Sequence, residues 1–221
     1  SANSGSINGP FGIAFDATGN LWVGNFQAST IVKYTPNQLV SLGSPVPDIT
    51  ISGVRPELLT FDSEGNLWVP DFTTSKVNKF TPAQLATSGL KTPAVIISSN
   101  GGSLDESQKV VFDDQGNMWV TGYYSFLTQY TPSQLTTSGS PAPNIRISSA
   151  SFSVTSSGTF DGNGNLWVAD VFNDTLMKFT PSQISGTGTL NLTPNITISK
   201  TGSGNNASIS EPYAFVIYPL P

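Results

Sequence analysis

Short apolar runs alternate with polar turn formers along this chain, and the alternation is periodic. Each unit opens on an apolar run ending in Phe and passes through Asp-x-x-Gly-Asn. It continues as (Leu/Met)-Trp-Val, with the four copies at residues 15–23, 61–69, 112–120 and 160–168. In Asp-x-x-Gly the Asp accepts backbone hydrogen bonds, and the Gly takes the left-handed conformation of a type I turn with a following bulge. The motif therefore predicts a tight hairpin. Leu21-Trp22-Val23 and its copies are apolar on both faces, as expected of strands in a sheet stacked between two others. The tryptophans are then inter-sheet core.

The rest of each unit follows. First strands are expected over 11–15, 58–61, 109–112 and 154–160, with the Trp strand second. Third strands fall at 30–34, 76–80, 126–130 and 175–179, and fourth strands at 48–52, 94–98, 144–148 and 195–199. Between third and fourth, Thr-Pro-x-Gln-(Leu/Ile) recurs at Thr35, Thr81, Thr131 and Thr180. Thr suits a helix N-cap, Pro the first helical position and Gln the capping box, so a single helical turn is predicted. Lys33, Lys79 and Lys178 share one position on the third strand and read as a solvent-facing stripe.

The motif Asp residues lie 46, 51 and 48 residues apart, the size of a four-stranded propeller blade. The expected architecture is an all-β propeller of four-stranded antiparallel blades, in one domain over residues 1–221. Four complete repeats are followed by one extra inner strand. Residues 211–218, Glu-Pro-Tyr-Ala-Phe-Val-Ile-Tyr, repeat the opening Gly-Pro-Phe-Gly-Ile-Ala-Phe of residues 9–15. Two first strands then compete for one place in a ring of four. A compact closed ring is the simpler expectation; an incomplete ring calls for another chain.

Composition narrows the chemistry. The chain has no His and no Cys. That removes the common general base near neutral pH, the commonest zinc ligand, thiolates and disulfides. Net charge is −5, with only nine scattered basic residues. Nucleic acid and anionic membranes are unsuited partners, and no apolar stretch is long enough to span a bilayer. A Ser/Thr/Asn-rich composition and an opening Ser-Ala-Asn-Ser without Met fit a secreted or extracytoplasmic chain after signal cleavage, or one carrying a cloning scar.

Residues 10–26, Pro-Phe-Gly-Ile-Ala-Phe-Asp-x-x-Gly-Asn-Leu-Trp-Val-x-Asn-Phe, resemble the NHL-type repeat of six-bladed propellers. They also resemble the units of the gluconolactonase/senescence-marker-protein group and of the streptogramin-lyase propeller. The resemblance covers nearly the whole chain. It implies fold more than function, because such repeats serve hydrolases, lyases and scaffolds alike. The lyase group implies a catalytic His, which is absent here. The gluconolactonase group implies a divalent metal held by Glu, Asn and Asp. Asn25, Asp71 and Asp170 match such positions, and no Glu aligns with the remaining ligand.

Strand polarity locates a site independently. The first-to-second and third-to-fourth connections share one end of the unit and carry the near-invariant motifs. Everything that differs between units shares the other end. Candidate ligand-binding residues there are Arg55, Glu106, Tyr123, Tyr124 and Glu211. The alternative for the charged residues is solvated loop, and for the tyrosines edge packing. Asn25, Asp71 and Asp170 are candidate ligands for Ca²⁺ or Mg²⁺, or else partners of the turns that follow them. No nucleophile-plus-base pair emerges. The leading expectation is a non-catalytic binding or scaffold propeller taking a protein, glycan or small molecule at this loop face. The alternatives are a metal-dependent lactonase-like hydrolase and a repeat lectin.

Overall fold

The computed structural model describes residues 6–40, 42–201, 209–213 and 215. Blade 1 is β1 (Pro10–Phe15), β2 (Leu21–Asn25), β3 (Thr30–Tyr34) and β4 (Ile49–Ser52). Blade 2 is β5 (Thr60–Phe61), β6 (Leu67–Asp71), β7 (Lys76–Phe80) and β9 (Val95–Ser98), with β8 (Gly89–Leu90) inserted before β9. Blade 3 is β10 (Ser107–Phe112), β11 (Met118–Gly122), β12 (Phe126–Tyr130) and β13 (Ile145–Ser148). Blade 4 is β14 (Thr155–Phe160), β15 (Leu166–Asp170), β16 (Thr175–Phe179) and β18 (Ile196–Ser199), with β17 (Gly188–Asn191) inserted before β18. The blade strands pair antiparallel in sequence order. The extra strand expected over residues 211–218 lies largely outside the described residues.

The hairpin turns form as the motif dictates. Gly19, Gly65, Gly116 and Gly164 take φ of 80°, 78°, 76° and 74°. In each copy the Asp does more than form the turn. One carboxylate oxygen accepts backbone N–H groups of the turn, and the other accepts the Trp indole N–H at 2.7–2.9 Å. The buried indole thus has its polar partner. Burial alone would raise the Asp161 carboxyl, but hydrogen bonds from Trp167, Asn165 and Asn163 outweigh it and hold it below its ordinary 3.8. Asp161→Ala is expected to cost about 1.5–3 kcal/mol, the worth of hydrogen bonds to a charged group. A depressed carboxyl stabilises above its unfolded pKa. The difference between wild type and variant should therefore shrink in denaturation curves taken below about pH 3.8.

The Thr-Pro-x-Gln segments fold as one-turn elements at Pro36–Leu39, Pro82–Leu85 and Pro132–Leu135. In all four copies the Gln carbonyl accepts the Thr backbone N–H at 2.8–3.0 Å. Its amide donates onward to a backbone carbonyl before the fourth strand. The lysine stripe is not simply solvent-facing. Lys33, Lys79 and Lys178 set their ammonium groups 5.9, 5.1 and 5.9 Å from the Trp rings of their own blades.

Blades join in one repeating way. The Trp face of each packs on the (Leu/Met)-Val-aromatic face of the next. Trp22, Ile31 and Ile51 meet Leu67, Val69 and Phe80. Trp68, Val77 and Ile97 meet Met118, Val120 and Tyr130. Trp119, Leu127 and Ile147 meet Leu166, Val168 and Phe179. A backbone latch, not visible in the repeat pattern, reinforces each joint. The segment after the helical turn reaches back to the outer strand of the preceding blade and pairs parallel with it: β8 on β4, Gly139 on Ile97, β17 on β13.

The terminal blades are covered only in part: Val23, Val32 and Tyr34 of blade 1 are buried, while its inner strand and the outer strand of blade 4 carry exposed apolar side chains. Phe11, Ile13 and Phe15 of β1 are 45, 62 and 60% exposed, and Ile196 and Ile198 of β18 are 41 and 44% exposed. β5 is shorter than expected because its partner strand carries Pro70, which has no N–H to give. The Leu58 N–H donates across to the Gln108 carbonyl of blade 3.

Candidate functional site

The connections between the Trp strand and the third strand line the face opposite the Asp-x-x-Gly turns. A cleft of about 580 Å³ opens there, lined by Phe26, Arg55, Phe72, Thr73, Ser75, Asp105, Glu106 and Tyr124. It gathers Arg55, Glu106 and Tyr124 from three separate connections. Each is fixed by local structure. The Arg55 guanidinium lies over the Phe26 ring at 3.8 Å and donates to Thr73 Oγ1 at 3.0 Å. Glu106 takes φ of 47°, while its carbonyl accepts the Tyr123 N–H. Tyr124 stacks on Phe126 at 5.6 Å, and Arg146 covers that same ring at 3.7 Å. Buried Thr155 holds the loop from below, its hydroxyl within hydrogen-bond distance of the carbonyls of Gly122, Tyr124 and Phe126. The nearby Glu106 charge raises the Tyr124 phenol above its ordinary value, with smaller effects of burial and Asp105.

The other candidates lie differently. Tyr123 sits between Phe72 and Phe172, edge-on to both at 6.3 and 5.6 Å, and so forms part of the aromatic floor beside the cleft. Glu211 is remote from it. Its backbone N–H donates to Asp174, and its φ of 45° matches those of Glu106 and of Gly9, at 47° and 58°.

Asn25, Asp71 and Asp170 are buried at the ends of their Trp strands. Asn25 accepts the Asn8 N–H and donates to the Ser6 carbonyl and Thr30. Asp71 accepts the N–H groups of Thr73 and Thr74. Asp170 accepts those of Ser153 and Asn173. These bonds tie each blade's loop to its strand end. Among the described residues no group of three or more His, Cys, Asp or Glu stands close enough to hold a metal.

The sequence reading missed Glu57. It follows Arg55-Pro56, is 3% exposed, and stands near Asp71. Burial pushes its carboxyl up to about 7; Arg55 opposes the shift and Asp71 adds to it. The signal in the sequence was a lone acid leading an otherwise apolar first strand. A second unforeseen group is Lys109 on β10, which lines the roughly 670 Å³ cavity between the inner strands. Burial lowers its ammonium to about 8, and it donates to the Leu59 carbonyl at 3.3 Å.

No family model and no curated protein matches the chain. Solved structures do. A streptogramin B lyase superposes with a TM-score of 0.59 at 17% identity, over 82% of this chain and 54% of the lyase. This likeness shows the fold, an all-β propeller. A virginiamycin B lyase from Staphylococcus aureus, in a catalytically inactive histidine-to-alanine form with quinupristin, superposes at 0.59 and 15% identity, over 95% of this chain and 64% of that one. The extracellular domain of a putative one-component system from B. thetaiotaomicron gives 0.57 at 16% identity, over 81% of this chain and 25% of that one. The chain thus spans roughly half to two thirds of the length of the lyases it resembles.

Proposed function

We propose that this propeller is a non-catalytic binding module whose ligand sits in the cleft between Arg55, Glu106 and Tyr124. The observation that carries the reading is that assembly: a guanidinium, a carboxylate and an aromatic ring from separate connections converge at the variable end of the blades. Paired charges beside flat rings suit a polar ligand with a planar face, such as a sugar ring or a peptide segment. The absence of His and Cys supports binding without catalysis. The similar lyase has an inactive form defined by loss of a histidine, and this chain offers no counterpart. The repeats read as NHL-type. A secreted or extracytoplasmic setting fits the composition and the extracellular domain among the structural neighbours.

The test is a screen of glycan and peptide arrays, followed by titration of the hits against variants. Arg55→Ala and Tyr124→Ala are each expected to weaken a hit about tenfold or more, or roughly 1.4 kcal/mol. Lys33→Ala, at the blade's Trp face, should leave it unchanged. Hits indifferent to both cleft variants would remove the cleft from consideration.

A further inference from the structure

The third blade departs from the repeat at one buried position. The residue paired across the ladder from each Trp is Lys33, Lys79 and Lys178 in blades 1, 2 and 4, and Gln129 in blade 3. In the three lysine blades the ammonium lies 5.1–5.9 Å from the ring, within cation–π range. In blade 1 it also pairs with Asp48 at 2.6 Å. Asn144 holds the Asp48 position in blade 3, each giving its backbone N–H to the carbonyl of its Lys or Gln. A neutral pair thus replaces the ionic one: Asn144 Nδ2 donates to Gln129 Oε1 at 2.7 Å.

A cavity of about 580 Å³ opens at this place, in the joint between blades 3 and 4, lined by Trp119, Gln129, Asn144, Asp113 and Asp114. Phe160 and Ile184 of blade 4 form the facing wall. The blade 4 hairpin carries Gly162 where the others carry Ala17, Ser63 and Asp114. Nothing lies within 4 Å of a Cβ added there, so the mouth is wide. The lining holds two carboxylates and, among the described residues, no Lys or Arg. Asp113 is engaged by the Trp119 indole and its own hairpin. Asp114 is exposed at the rim, and the ion pairs among the described residues are made by other acids.

We propose that this cavity binds a primary alkylammonium group, which takes the place beside Trp119 that lysine takes beside the other three tryptophans. The chain itself is the template: the same ladder position accepts an ammonium three times over. Asn144 Oδ1 accepts one of its protons, and Asp114 supplies the opposite charge at the mouth.

The test is a titration followed through the four indole N–H resonances of the ¹⁵N-labelled chain, one per tryptophan, once they are assigned. Butylammonium should shift the Trp119 signal saturably, with a millimolar or tighter dissociation constant, and leave the other three in place. 1-Butanol should not. Gln129→Lys restores the residue of the other blades, so it should fold, and it should abolish the response. Asp114→Asn should weaken binding about two- to fivefold, the worth of an exposed ion pair. Arg55→Ala, at the opposite end of the blades, should titrate as wild type, so this site and that cleft fail independently. Nα-acetyl-lysine amide and spermidine separate the sources: tighter binding of the first assigns a lysine side chain of a partner protein, and of the second a free polyamine. No saturable shift with any of the three cations overturns the proposal. So does an equal response to 1-butanol, and so does binding that Gln129→Lys leaves undiminished.

Discussion

Trp119→Ala is expected to cost about 3–5 kcal/mol of folding stability, and Trp167→Ala markedly less, about 1–2 kcal/mol. The two tryptophans occupy the same repeat position and make the same indole bond to the motif Asp, at 2.9 Å in both cases. What differs is the layer above them. Trp119 is 1% exposed inside the cluster shared by blades 3 and 4. Its removal leaves a cavity between two sheets that cannot close up. Trp167 faces outward with Lys178 near its ring, and truncation there removes less contact. Because the polar bond is common to both, the difference isolates stacking. Chemical denaturation should be run at protein concentrations where the chain is monomeric. Equal losses at the two positions would mean that blade 4's outer face is covered.

That contrast also marks what the sequence disclosed. Trp22, Trp68, Trp119 and Trp167 are indistinguishable by motif, and the repeat announced blades, turns and sheet stacking. Those features depend on local chemistry: a glycine at positive φ, an aspartate at a turn, a strand apolar on both faces. The latches were hidden because Gly139, Gly89 and their neighbours pair through backbone atoms across blades. Serine side chains help, as where Ser88 and Ser138 accept the N–H groups of Thr50 and Ile96, but no apolar pattern records such bonds. The candidate site was half legible. Divergence between units pointed to one end of the blades, and Arg55, Glu106 and Tyr124 line one cleft at that end. Glu211 belongs to the same repeat position as Glu106 and not to the same place, since periodicity fixes register within a unit and says nothing of which units face each other. Glu57 escaped notice because its surroundings come from another blade, whose backbone approaches its own closely. A Cβ at residue 12 would lie 2.3 Å from the Glu57 carbonyl oxygen, and only glycine lets β1 approach so closely.

Glu57 carries the second large expected effect, a stability that falls as pH rises through the mildly acidic range. Its carboxyl titrates near 7 in the folded chain against about 4.5 when unfolded. Below pH 4.5 both states hold the proton and the group contributes no bias. Between 4.5 and 7 the unfolded chain loses the proton freely while the folded one retains it, so folding becomes progressively less favourable. A shift of that size corresponds to roughly 3 kcal/mol at 1.36 kcal/mol per unit, an upper figure given any relaxation around the charge. Other perturbed groups act elsewhere. Asp16, Asp161 and Asp174 are all depressed and act below their ordinary 3.8. Lys109, lowered from 10.5 to about 8, makes stability rise with pH between those values. The window from 4.5 to 7 is therefore Glu57's own. Glu57→Gln should flatten it, matching wild type near pH 4.5 and exceeding it by about 2–3 kcal/mol at pH 8. Urea denaturation at pH 4.5, 6 and 8 reads this directly, and an unchanged slope in the variant would place the titrating group elsewhere. The same ionisation reaches the cleft. Arg55 acts on Glu57 electrostatically, so a charged Glu57 partly offsets the Arg55 charge. An anionic ligand of the cleft should accordingly bind more weakly above pH 7 in wild type, and with no such loss in Glu57→Gln.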